Sequence, residues 1–161
     1  RRQRQMCIRD RENTILKSIL IKLYYVKNDT KEKLINSKSR AMLNFGHSIG
    51  HALEAIYKYK NKLNHGEAIS IGMLVESHIS YKLGFMSKVD LLSIKNHFNK
   101  ANLKVFDKNL KSKNLLRHLI KDKKNMDGKI NLVLLKKIGS SFYCKDIKMN
   151  QITKILENYN K

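Results

Sequence analysis

Proline is absent from the 161-residue sequence, and acidic residues are scarce. No proline-rich or Gly/Ser-rich linker and no internal repeat divides the chain, whose length suits one domain with a modest core of its own. No stretch approaches the roughly 20 apolar residues that a membrane-spanning helix needs. The arginine-rich start is not followed by the apolar run and cleavage site of a signal peptide. We therefore expect a soluble, cytoplasmic protein without a membrane partner.

The scarcity of acidic residues leaves a net charge of +21, from 34 lysines and arginines against 13 aspartates and glutamates. Such a charge ordinarily favours nucleic-acid binding. Here the excess is nearly all lysine, spread along the chain with abundant isoleucine and asparagine, as the codons of an A/T-rich genome would give. No recognition-helix, zinc-finger or aromatic RNA-binding pattern accompanies it. We expect no nucleic-acid partner, although a basic helical nucleic-acid-binding module remains the alternative from another class.

The first ten residues, RRQRQMCIRD, differ from the rest of the chain because they are rich in arginine. Residues 1–11 read as the translation of a transposase adapter used in sequencing libraries. We therefore expect them to be non-native, with residues 12–161 forming the domain; the alternative is a native basic arm. Without Cys7, only Cys144 is left, so neither a disulfide nor a cysteine metal cluster is available.

Apolar residues recur every three or four positions along most of the chain, which predicts a mainly helical protein. A polar loop is predicted over 28–39, and a small β-hairpin is predicted to pair 130–135 with 141–144 after a turn signal. The predicted helices begin at an Asn13 cap, at about Arg40 (to Tyr57), at about Gly66 (to Leu83, ended by Gly84), at a Ser87 cap, at Leu115 (to Ile120) and at an Asn150 cap.

Polar residues interrupt the otherwise apolar segment 40–57. On one continuous helix they would form a single polar stripe, whose members are Arg40, Asn44, His47 and His51. Gly46 and Gly50 flank the histidines. Because each glycine costs a helix roughly 1 kcal/mol relative to alanine, we expect close approach of another backbone or a ligand there.

His65 follows the two histidines and opens the next predicted helix, where it can face them. Zinc binds imidazole nitrogens, and a catalytic zinc site has three protein ligands and one open position. Two histidines from this chain would therefore make an incomplete site. The spacing predicts a metal or anion site, or else a buried hydrogen-bond network in a non-catalytic interaction domain.

Three stretches of the sequence resemble signatures of the 3-dehydroquinate synthase family. LNFGHSIGHALE at 43–54 is similar to LNxGHTxGHAxE, and HGEAISIGM at 65–73 is similar to HGEAVAxGM. Residues 122–139 are similar to a DKK–G–VLL–IG pattern. The resemblance implies the helical C-terminal domain of the dehydroquinate synthase-like fold, with a small β-hairpin. It also implies an N-terminal NAD-binding domain in the full-length protein.

The resemblance further implies an activity. The full-length enzyme would be a homodimeric lyase that uses NAD and zinc or cobalt. It would convert a sugar phosphate, 3-deoxy-D-arabino-heptulosonate 7-phosphate, into 3-dehydroquinate and phosphate in the shikimate pathway of aromatic amino acid biosynthesis. This chain alone would be inactive without that missing N-terminal domain. Another sugar-phosphate cyclase of the same superfamily is the alternative.

Residue roles also follow from the resemblance. His47 and His65 would be two of three zinc ligands, the third being a glutamate of the N-terminal part. His51 would be a catalytic histidine and Glu32 a proton acceptor. The substrate would be bound by Lys22, Arg40, Asn44 and Lys123, with Lys124 as the alternative to the last. The segment between Asp29 and the signature is longer than in the family and lacks its glycine.

Overall fold

Six α-helices, two short 3-10 helices and one β-hairpin make up residues 2–58, 62–121 and 129–159, which this computed structural model describes. In chain order the elements are α1 (Arg2–Asn28), a 3-10 helix (Arg40–Asn44), α2 (His47–Ile56), α3 (His65–Lys82), α4 (Lys88–Lys100), a second 3-10 helix (Lys108–Lys111), α5 (Lys113–Lys121), β1 (Lys129–Lys137), β2 (Ser140–Lys148) and α6 (Met149–Glu157). They belong to two units, Arg1–Leu43 and Asn44–Lys161. Within the described ranges, no helix combines the length and the apolarity needed to cross a membrane.

The first unit contains α1 and the loop after it. α1 begins at Arg2, so the predicted start at an Asn13 cap is wrong. Arginine, glutamine and methionine are good helix formers, and no glycine or proline precedes Asn28, so the helix extends upstream of the expected cap. The loop predicted over 28–39 is confirmed to within one residue.

The carboxylate of Asp29 organises this loop. It is buried and accepts the N–H groups of Lys33 at 2.8 Å, Arg40 at 3.1 Å and Leu34 at 3.3 Å. It also accepts the Ser39 hydroxyl at 3.3 Å. Burial raises the pKa of Asp29, but these donors outweigh it and hold the pKa below its ordinary value. The ionised side chain therefore ties both ends of the loop to one point.

The single helix predicted over 40–57 is wrong, because the chain turns sharply at Gly46. That residue has a φ of +84°, in the left-handed region that glycine adopts without the steric cost of a Cβ. A 3-10 helix precedes the turn and α2 follows it. Arg40 and Asn44 thus lie on a different element from the two histidines, and the expected single stripe does not form.

α3 and α4 begin at capping residues and α3 ends at a glycine. The Asn64 side chain accepts the Glu67 N–H at 2.8 Å, and the Glu67 carboxylate accepts the Asn64 N–H at 3.1 Å, which makes a capping box. Gly84 follows α3 with a φ of +81°. Ser87 accepts the Asp90 N–H at 3.0 Å at the start of α4. The predicted end at Gly84 and the predicted cap at Ser87 are both confirmed.

The antiparallel pair β1–β2 confirms the predicted hairpin, with strands longer than the expected 130–135 and 141–144. Gly139, with a φ of +80°, forms the turn. The predicted cap at Asn150 is wrong, because β2 runs directly into α6 and Lys148 is the N-cap residue. The helix predicted over 115–120 is present within α5.

The core of the second unit lies where α2, α3, α5 and α6 meet the hairpin. Its largest fully buried side chains are Ile49, Leu53, Ile71, Ile79, Leu110, Leu115, Leu119, Ile130, Leu132, Leu134, Ile152 and Leu156. Each such side chain contributes about 1.5–3 kcal/mol when it leaves water. In addition, the Ser80 hydroxyl of α3 donates to the Leu135 carbonyl of β1. This packing makes α3 the central element against which α2 is held.

Three glycines allow the backbones of α2 and α3 to touch. A Cβ on Gly46 would lie 2.6 Å from the Met73 Cγ and 2.7 Å from its nitrogen, and a Cβ on Gly50 would lie 2.7 Å from the Ile69 Cδ1. A Cβ on Gly72 would overlap the carbonyl oxygen of Gly46. The expected close approach of another backbone therefore occurs.

The substitution Gly72→Ala should destabilise the protein by at least about 2 kcal/mol. The methyl group of the alanine would overlap the backbone carbonyl of Gly46, which cannot move aside. Urea-induced unfolding followed by circular dichroism measures this loss. Gly66→Ala is the matched control on the same helix, since the nearest atom to its Cβ is the Asn64 Oδ1 at 3.6 Å. Equal stability of the two variants would contradict the backbone contact.

Candidate functional site

Three histidines of the second unit, two from α2 and one from α3, have their imidazole rings close together. His47 and His51 stand one turn apart on α2, and His65 is the first residue of α3. The ring centroids lie 5.3 Å apart for His47 and His51, 5.8 Å for His47 and His65, and 6.1 Å for His51 and His65. The structure thus places His65 facing the other two, as its position at a helix start suggested.

Two of these rings have a hydrogen bond that selects their tautomer. The Nδ1 of His47 lies 3.3 Å from the Phe45 carbonyl oxygen, and the Nδ1 of His65 lies 3.0 Å from the Glu54 Oε1. Both oxygens are acceptors, so each Nδ1 donates a proton to its partner; in a neutral imidazole this leaves the lone pair on Nε2. A metal-binding histidine ordinarily has this arrangement, with its second nitrogen donating to a carbonyl or carboxylate.

The electrostatics of the cluster favour a neutral His47. Partial burial lowers the pKa of its imidazole, and the nearby rings of His51 and His65 lower it further. The hydrogen bond to Phe45 and the charge of Glu54 oppose this shift without cancelling it. A neutral imidazole is the form that binds a metal ion. His51 and His65 are exposed, so the cluster is open to solvent.

Glu54 is a site residue that the sequence reasoning missed. Side-chain atoms of His51, Glu54 and His65 all lie within 4.8 Å of one another, the spacing of a possible metal site. Imidazole and carboxylate are ordinary zinc ligands. The signal was present in the sequence, since Glu54 follows His51 by three positions and His47 by seven, on the same face of a helix. The assignment of His47 and His65 as the ligands remains a prediction.

The predicted substrate-binding residues are divided between the two units. Asn44 ends the first 3-10 helix, three residues before His47. In the first unit, Lys22 is exposed on α1, and Glu32 is exposed with a φ of 51°. Arg40 in that unit is half-buried, and its Nη1 donates to the Thr30 carbonyl at 3.4 Å.

Lys123 and its alternative Lys124 lie outside the described residues. Four further roles also remain predictions, those expected for Lys22, Glu32, Arg40 and Asn44. The first three residues lie in the first unit and the histidines in the second, and all four roles concern a bound substrate. The observed cluster therefore consists of the three histidines and Glu54.

Comparison with known proteins places the chain in a family. The family described as 3-dehydroquinate synthase C-terminal matches residues 2–125. The 3-dehydroquinate synthase of Dictyoglomus turgidum is 40% identical over 147 residues, which are 89% of this chain and 39% of that protein. The 3-dehydroquinate synthase of Thermodesulfovibrio yellowstonii is 39% identical over 137 residues, which are 84% of this chain and 37% of that protein. The chain thus spans less than half the length of these relatives.

Solved structures show the same fold at lower identity. A 2-epi-5-epi-valiolone synthase from Streptomyces hygroscopicus subsp. jinggangensis 5008, with NAD+ and Zn2+ bound, is 23% identical with a TM-score of 0.62. The match covers 71% of this chain and 31% of that one. A 2-deoxy-scyllo-inosose synthase complexed with carbaglucose-6-phosphate, NAD+ and Co2+ is 23% identical with a TM-score of 0.59, covering 73% and 33%.

The histidine cluster is formed by the two signature segments, and the family match includes both of them. The curated relatives share about two-fifths of their matched residues with this chain. By its match to the family and its identity to the curated members, the chain belongs to the 3-dehydroquinate synthase family.

Proposed function

We propose that this chain is the metal- and substrate-binding part of a 3-dehydroquinate synthase. The whole enzyme would convert 3-deoxy-D-arabino-heptulosonate 7-phosphate into 3-dehydroquinate and phosphate in the shikimate pathway. The observation that carries the proposal is the convergence of His47, His51 and His65, two helices presenting three imidazoles within 6.1 Å of one another. The names of the curated relatives support it.

The cluster fits a divalent metal ion such as zinc or cobalt. His47 and His65 would hold it through their free Nε2 atoms, with a third ligand from another part of the full-length protein. The Zn2+ and Co2+ of the two solved synthases support this choice of metals. When bound, the ion would polarise the substrate hydroxyl that is oxidised during turnover.

The other side chains would bind the substrate and move protons. His51 is exposed beside the proposed ligand pair and would transfer protons at its imidazole. Glu32 would be a second proton acceptor. The carboxylate and phosphate of the substrate would be bound by the guanidinium of Arg40, the amide of Asn44 and the ammonium groups of Lys22 and Lys123.

NAD would be bound by a part of the enzyme that this chain does not include. The sequence contains no glycine-rich nucleotide-binding loop, and its relatives are more than twice as long as the matched segment. Within its own unit, α1 exposes large apolar side chains, as expected of a surface that packs against another part of the protein; they include Ile15, Leu16, Ile19, Leu20 and Tyr24. We also propose that the full-length enzyme is a cytoplasmic homodimer and that residues 1–11 are not native.

A different sugar-phosphate cyclase activity is the second candidate. The two solved synthases that share the fold carry other names, 2-epi-5-epi-valiolone synthase and 2-deoxy-scyllo-inosose synthase. They are only 23% identical to this chain, whereas the 3-dehydroquinate synthases reach 40%. The higher identity favours the heptulosonate as substrate.

Removing one histidine of the proposed ligand pair should weaken metal binding. His47→Ala and His65→Ala should each lower Co2+ affinity by at least about tenfold. Glu54→Gln should also lower it, because the neutral amide oxygen is a weaker acceptor for the His65 Nδ1–H than the carboxylate. Isothermal titration and the visible absorption of bound Co2+ measure the affinity. His97→Gln on α4 is the control and should change nothing. Unchanged affinity in both alanine variants would exclude the proposed site.

The chain alone should release no phosphate from the heptulosonate substrate, even with NAD and zinc added. No side chain in it can accept a hydride, so the oxidation step lacks its acceptor. A coupled phosphate assay on residues 12–161, beside the enzyme from a complete gene of the family, measures this. Turnover by the chain alone would contradict the proposed division of the active site, and preference for another sugar phosphate by the complete enzyme would favour the second candidate.

A further inference from the structure

Glu76 is a wholly buried carboxyl group in the apolar interior of α3. Its exposed fraction is 0%, and Val75 and Ser77 beside it are equally buried. Burial raises the pKa of Glu76 to about 8, although the N–H groups of Gly46, Ile49 and Ser48 pull it down. A carboxyl group buried in this way costs free energy unless its hydrogen bonds repay it. Its contacts therefore call for an explanation.

Those contacts are made with the first turn of α2. The Oε2 of Glu76 accepts the Gly46 N–H at 2.6 Å, and the N–H groups of Ser48 and Ile49 also stabilise the ionised form. The first N–H groups of any α-helix have no partner within the helix. Glu76 thus supplies the acceptor that α2 needs at its N-terminus. Among the described residues, its Oε1 has no hydrogen-bond partner.

A local cap is excluded at this helix end. The N-cap residue is Gly46, which has no side chain to accept an N–H group. A serine or aspartate cannot replace it, because its φ is +84° and a Cβ would lie 2.6 Å from the Met73 Cγ. The close contact between α2 and α3 removes the usual cap, so the acceptor comes from the neighbouring helix.

The two helices are consequently joined by a carboxyl group at each end. Gly46 lies beside Met73 and Gly50 beside Ala68 and Ile69, so α2 and α3 run antiparallel. At one end, Glu54 of α2 contacts His65 of α3 at 3.0 Å. At the other, Glu76 of α3 contacts the turn that precedes His47. The second contact holds the first turn of α2, which contains His47, against α3.

We propose that Glu76 is a positioning residue, which caps α2 from within α3 and thereby fixes His47 and His51 relative to His65. It touches neither substrate nor metal and acts through the first turn of α2. The metal readout of this proposal rests on the proposed function, whereas the placement of the helix does not. A merely structural role would lower stability without a selective effect on that turn.

The test compares Glu76→Leu with Ser80→Ala in the full 161-residue chain. The leucine keeps the volume but removes the acceptor, whereas the alanine removes the α3–β1 hydrogen bond and leaves the first turn of α2 alone. Glu76→Gln, which keeps one acceptor oxygen, is the conservative variant. Hydrogen exchange of the 46–49 amides, the imidazole NMR signals of His47 and His51, and Co2+ affinity are measured for each.

We expect Glu76→Leu to raise exchange at the 46–49 amides at least about tenfold, shift both imidazole signals and weaken Co2+ binding about tenfold. Glu76→Gln should show little of each effect, because it keeps one acceptor oxygen. Ser80→Ala should lower thermal stability without any of these effects. Equal effects of Glu76→Leu and Ser80→Ala, or no selective effect of the leucine, would overturn the proposal. If the leucine variant does not fold, Glu76→Asp, which withdraws the carboxyl by one methylene, is judged by the same readouts. Absence of Co2+ binding in the parent chain would count against the proposed function, while the exchange and imidazole readouts still decide the role of Glu76.

Discussion

The direct contact between the backbones of α2 and α3 is the constraint on which the rest of the site depends. It exists because three positions along the crossing, Gly46, Gly50 and Gly72, carry no Cβ. The helices thus come close enough for side chains from both to contact one another. The imidazoles of His47 and His51 on α2 therefore lie near that of His65 on α3. The cost of Gly50 and Gly72 within the helices, roughly 1 kcal/mol each, is offset by the burial that surrounds the contact.

The close contact also determines which groups can satisfy the helix ends. At α3, where the chain enters from solvent, Asn64 and Glu67 cap each other within four residues. At α2, the N-cap is pressed against Met73, and the acceptor is Glu76, 30 positions along the chain. One helix is therefore capped by its own sequence and the other by its neighbour, and only the second kind of cap relates the two helices in space.

This difference explains how far the sequence could be read. The helix ends at Ser87 and Gly84 were predictable, because their determinants lie within one turn of the chain. The break at Gly46 was not, since the apolar spacing of 40–57 fits an unbroken helix and the left-handed φ follows from contact with α3. The residue pair His47 and His51 was found from spacing alone because it lies wholly within α2.

Other features were missed for local or for tertiary reasons. Asn13 and Asn150 are residue types that often cap helices. Good helix formers before Asn13 extend α1 upstream of it, and β2 leads directly into α6 before Asn150. Glu54 was visible as a further polar residue on the histidine face, yet its contact with His65 is a tertiary fact. Glu76 gave only the weak signal of a single acidic residue in the apolar middle of α3.

The loop gathered by Asp29 has a consequence for how this family can vary. Its carboxylate binds Lys33 and Leu34 on one side and Ser39 and Arg40 on the other, so the base of the loop is closed while its tip, 35–38, is exposed. Insertions at such a tip add little closure entropy, since that entropy grows only with the logarithm of loop length. Evolution can therefore lengthen or shorten this segment while the backbone of Arg40 keeps its anchor.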